Sequence, residues 1–63
     1  MKLIDLITVT GADEVIHVVT QMKSLYMGTV RNAYNELDES FLKESAVNFI
    51  CTSCNLLLIE VAA

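Results

Sequence analysis

The apolar positions change period along this chain, and the changes mark its elements. From Glu14 to Met22 (EVIHVVTQM) β-branched residues crowd together. An extended backbone puts Ile16, Val18 and Thr20 on one side and Val15, His17 and Val19 on the other. Both sides are largely apolar, which predicts a strand that is central or buried on both faces. Lys23 and Ser24 offer a tight turn, and Leu25 to Gly28 return as the second strand of a hairpin. The period then becomes helical. Val30, Ala33, Tyr34 and Leu37 stand at i, i+3, i+4 and i+7 behind Thr29 as N-cap, with Arg31, Asn32, Asn35 and Glu36 on the wet side.

The following DESFLKES is polar and acidic and reads as a loop or single turn, with Phe41 and Leu42 plugging the end of the core. In the last third, Val47, Phe49 and Cys51 alternate with Asn48, Ile50 and Thr52. Ser53 to Asn55 supply a turn and Leu56 to Val61 a closing strand. At the start, Leu3, Ile4, Leu6 and Ile7 suit either a short helical turn or an edge strand, ended by Gly11. The predicted class is α+β: a four-stranded antiparallel sheet crossed by one helix, in the order ββαββ, after a short N-terminal element.

Composition adds a constraint. With 63 residues the chain predicts one small domain over 1–63, near the lower limit for folding alone, yet 54% of it is apolar. One helix hides one face of such a sheet. The other, carrying residues such as Val15, Val19, Ile50 or Leu57, is expected to lie open unless a second subunit covers it. Leu56 to Val61, placed at an edge, would offer strand pairing as well. A homo-oligomer, dimer or tetramer, is therefore expected.

Charge narrows the partners. Lys2, Lys23, Arg31 and Lys43 are scattered against eight acids, for a net charge of −4. No basic stripe for gripping phosphates results, although an oligomer could gather those charges on one face. The longest aliphatic run, Leu56 to Ile59, is far below the roughly 20 residues of a membrane span. Asp5 interrupts the first apolar stretch, which spoils a signal-peptide core, so no membrane partner and a cytoplasmic location are expected.

The candidate chemistry is sparse. Asp13 and Glu14 form an acidic pair before the first strand and are the candidate catalytic residues. Paired carboxylates can hold Mg²⁺, and two such ions can drive phosphodiester hydrolysis, although acidic dipeptides also occur as solvated turns. Cys51-Thr52-Ser53-Cys54 is a single CxxC. It supplies half a zinc site, which a symmetric dimer could complete. The plainer reading makes Cys51 a core residue and Cys54 a turn residue. His17, between valines with no Ser or Cys partner close in sequence, reads as a packed or hydrogen-bonded histidine. Tyr26 and Tyr34 could stack on bases, or line the contact between sheet and helix with their hydroxyls at its rim.

Laid out as MKLIDLI, EVIHVV, YMGTVRNAYNELDESFL, AVNFI and LLLIEV, nearly the whole chain resembles very small acidic proteins of phages and prophages of gut Firmicutes. Among these it is similar to a small anti-CRISPR family directed at type II-A systems. That resemblance implies a fold like the single-strand-binding transcriptional coactivators, an oligomer, and protection from Cas9 by relaxing or nicking supercoiled DNA. It makes Asp13 the first residue to test, and Mg²⁺, which paired carboxylates can hold, is the ion expected if DNA is cleaved. The expected function is thus a phage or mobile-element anti-defence protein acting on DNA as a homo-oligomer. The alternative is a non-enzymatic interaction module that binds a host protein.

Overall fold

The computed structural model describes residues 1–21, 23–53 and 55–62. Its elements follow the order α1 (Leu3–Thr8), β1 (Val15–Val19), β2 (Ser24–Thr29), α2 (Val30–Glu36), α3 (Glu39–Glu44), β3 (Val47–Ser53) and β4 (Leu56–Val61). The class is α+β, with a four-stranded sheet in the spatial order β2-β1-β4-β3.

The expected antiparallel sheet with one helix in ββαββ order is corrected on two points. The sheet is mixed: β1–β2 and β3–β4 are antiparallel hairpins, but β1 and β4 meet in parallel, Val15 beside Leu56 through Val19 beside Glu60. β4 is therefore central and not an edge; β2 and β3 are the edges. Its near-continuous apolar run, LLLIEV, suits a strand with neighbours on both sides. Secondly, helix replaces the expected loop at Glu39–Glu44 and settles the ambiguous start at Leu3–Thr8.

Local chemistry explains these helices. Lys2 N donates to the Asp5 carboxylate (3.2 Å), which satisfies an otherwise unpaired donor at the start of α1. Thr29 caps α2, its hydroxyl accepting from Asn32 N at 3.3 Å. In α3, Glu39 and Lys43 pair one turn apart at 2.7 Å, while Leu42 points inward.

The core lies between the helices and one sheet face. Leu3 and Ile7 of α1, Val30 and Ala33 of α2, and Leu42 of α3 bury themselves on Ile16, Val18, Ile59 and Val61. Each large side chain among them contributes about 1.5–3 kcal/mol by leaving water. Leu57 packs against this cluster, and Ile50 sits opposite Ile59 on the helix side, at the sheet's uncovered margin. Neither belongs to the open face where they were expected. Tyr34, expected inward, is 47% exposed because a helix this short covers the sheet with Val30 and Ala33 only.

Candidate functional site

Strand register decides what the helix-free face carries. His17 lies opposite Met27 on β2 and beside Leu58 on β4; Val15 lies beside Leu56. On β3, Phe49, Cys51 and Ser53 stand opposite Glu60, Leu58 and Leu56. A register shift between Val47 and Phe49 breaks the expected alternation, so Val47 faces the core and Phe49 faces away. The outcome is an apolar surface on which Met27 is 61%, Phe49 54% and Val15 38% exposed. Side chains this exposed forfeit a substantial part of their transfer free energy. The total accessible surface, 4117 Å², is close to the roughly 4,000 Å² of a compact monomer of this mass. The apolar surplus thus lies in which atoms are exposed, not in how much surface there is.

Cys51 belongs to this face. It is exposed, its thiol 3.7 Å from the Thr52 carbonyl, and is not the core residue expected. Cys54 lies outside the described residues, and with it the expected Cys51–Cys54 pair.

His17 has a partner that sequence distance concealed. Its Nε2 lies 2.7 Å from the Ser24 hydroxyl, across the first hairpin. A register shift between Val18 and Val19 puts Ser24 opposite Val19, within reach of the imidazole. A Ser–His pair becomes a nucleophile and base only with a third group orienting the ring and donors for a developing oxyanion. Among the described residues nothing bonds the other ring nitrogen. The pair is a tie that satisfies a polar ring among apolar neighbours.

Asp13 and Glu14 occupy one corner, at the turn before β1. That turn closes through Glu14 N to Gly11 O (3.0 Å) and is pinned to α2 by Val30 N to Glu14 O and Arg31 N to Ala12 O, both 3.0 Å. The second bond brings Arg31 to Asp13, guanidinium to carboxylate at 2.8 Å, both well exposed. A Mg²⁺ ion recruiting Asp13 would have to displace that guanidinium. Among the described residues no three His, Cys, Asp or Glu side chains converge as a metal site. Glu14 instead borders a cleft of about 300 Å³ shared with Thr10, Thr52, Asn55, Leu56 and Leu57.

Tyr26 packs on the core, and its hydroxyl donates to the Thr29 carbonyl at 2.8 Å. Partial burial of the ring, and secondarily the charge of Glu36, raises its pKa. The phenol is thus occupied at the contact between sheet and helix.

No helix among the described residues is long and apolar enough to cross a membrane. Comparison with protein-family models, curated proteins and solved structures finds no match to the chain.

Proposed function

We propose that this protein acts by binding, and that its working surface is the helix-free face of the sheet, occupied first by a second copy. The observation that carries this reading is the exposure of Val15, Met27 and Phe49 around Leu56 and Leu58, on a side no helix covers. Charge favours self-association there. Among the described residues that strand register places on this face, Glu60 is the one acidic side chain and His17 the one imidazole, with no Lys or Arg beside them. The helices carry Asp5, Glu36, Glu39 and Glu44, so copies of net charge −4 meeting through them would set acid against acid. Size sets the strength. Four strands about 4.8 Å apart and about 18 Å long give a flat face on the order of 350 Å². Two such faces fall below the ~1,200 Å² lower bound of standard interfaces, which implies a concentration-dependent association.

In the anti-defence setting implied by the resemblance, this oligomer meets a host protein and leaves DNA chemically unchanged. Three of the four basic side chains are already engaged, Arg31 with Asp13, Lys43 with Glu39 and Lys2 with the Glu44 carbonyl, which weakens a phosphate-gripping role. Sedimentation from low to high micromolar concentration tests the reading. The expected result is a rising mass for the wild type and a single copy for Met27→Lys and Phe49→Glu with unchanged melting. A single wild-type copy at high micromolar concentration overturns it. Supercoiled plasmid with Mg²⁺ is expected to stay supercoiled; nicking that disappears in Asp13→Ala would transfer the proposal to the DNA-directed reading.

A further inference from the structure

We infer that the cleft beside Glu14 is a binding site for a primary ammonium group carried on a short apolar chain. It lies where the parallel strands β1 and β4 begin, between the turn before β1 and the β3–β4 hairpin. Leu56 and Leu57 line it with hydrocarbon, and its volume of about 300 Å³ is at the lower end of the range for small-ligand sites. Of its polar lining residues, Glu14 and Thr10 offer acceptors, while Asn55 and Thr52 can both donate and accept. Thr10 gives its hydroxyl hydrogen to the Leu6 carbonyl at 2.8 Å and so presents lone pairs. Asn55, in left-handed conformation at φ 64°, adds an amide, and Glu14 a full negative charge.

Among the described residues that charge is paired with no cation. The adjacent Arg31 is held by Asp13, Lys2 and Lys43 are engaged elsewhere, and Lys23 lies at the far end of β1, about 16 Å along the strand. Among the described residues the Glu14 carboxylate makes neither a hydrogen bond nor an ion pair. An ammonium group brings three donors and the missing charge, and a short aliphatic chain covers the leucines. An anion would meet Glu14, and a neutral alcohol would leave it uncompensated. The site shares Leu56 with the open sheet face, but its recognition chemistry rests on Glu14 and Thr10, so Glu14→Gln tests it apart from self-association.

The test is an amide-correlation NMR titration with n-butylammonium chloride, with n-butanol, sodium butyrate and sodium chloride as comparison probes. Saturable shifts confined to Thr10, Glu14, Thr52 and Asn55 to Leu57 are expected, with a Kd on the order of millimolar or weaker and weaker still at high salt. Glu14→Gln, an isosteric change at an exposed side chain, should weaken binding by about fivefold, as loss of an exposed charge pair does. Glu39→Gln, on α3 and outside the lining of the cleft, should leave it unchanged. Shifts that do not saturate, that spread over the surface, that n-butanol reproduces, or that Glu14→Gln leaves intact would overturn the assignment.

Discussion

The hydroxyl of Tyr26 stands 2.7 Å from the point a β-carbon on Gly28 would occupy, and the ring carbon bearing it stands at 3.1 Å. The two residues sit two apart on β2, on the face that meets the core, at an edge where Gly28 has φ 157°. Gly28→Ala must therefore push aside a phenol already bonded to Thr29 and adopt a backbone rarely used by L side chains. A loss of about 1–3 kcal/mol is expected in chemical denaturation. Part of it should return in the Tyr26→Phe background, where the nearest clashing atom is gone. Equal losses in both backgrounds would show that backbone conformation alone sets the cost.

Truncations should separate the two sheet faces. Ile59→Ala opens a cavity at a fully buried position and should cost about 2–5 kcal/mol, enough to unfold much of a domain this small. Leu58→Ala, one residue away and half-buried on the opposite face, should cost less in melts of dilute protein while weakening self-association. Leu57→Ala should fall between them, since Leu57 packs against the core without full burial.

The cap on α2 is testable by itself. Thr29→Ala removes the acceptor for Asn32 N and should cost roughly 1 kcal/mol, with Thr29→Ser recovering most of it. Urea midpoints at constant slope would measure both.

Two groups give opposite pH signatures. A hydrogen bond from Lys43, and then its charge, lowers the pKa of Glu39. The folded state thus favours the carboxylate. Its contribution is present above the ordinary glutamate range near ~4.3 and is lost as pH falls through the lower folded value. In a carboxyl-detected NMR titration Glu39 should titrate below the ordinary glutamate value and move back up toward it in Lys43→Met. For Tyr26 the folded pKa is raised, so the contribution is full below about pH 10 and is lost as pH rises through the folded value. Alkaline melts of wild type and Tyr26→Phe should keep a constant difference up to about pH 10 and change it only above.

Helix α2 was legible because Thr29 and the spacing of Val30, Ala33 and Leu37 state it locally. The hairpin strands were legible for the same reason, with bounds within a few residues. Helix α3 was not, since six residues with one fully buried side chain, Leu42, set up no period. Its signal was the four-residue spacing of Glu39 and Lys43. The parallel meeting of β1 and β4 is a tertiary choice between elements 41 positions apart, from Val15 to Leu56. Only the unbroken apolar run of β4 hinted at it. The placement of Val15 and Val19 on the face away from the helices followed from alternation. That of Phe49 and Leu58, and the inward turn of Leu57 and Ile50, depended on register, which a shift at Val47/Phe49 controls. Asp13 and Glu14 could be read as a corner, but not the capture of Asp13 by Arg31, which needs α2 docked against the turn.

The side-by-side alignment of β1 with β4 has a consequence for biosynthesis. The opening hairpin emerges from the ribosome long before the strand that must lie along its inner flank, so β1 waits with half its pairing groups unsatisfied. A product cut short before Leu56 lacks that neighbour together with the core side chains Ile59 and Val61, and is expected not to reach a stable fold.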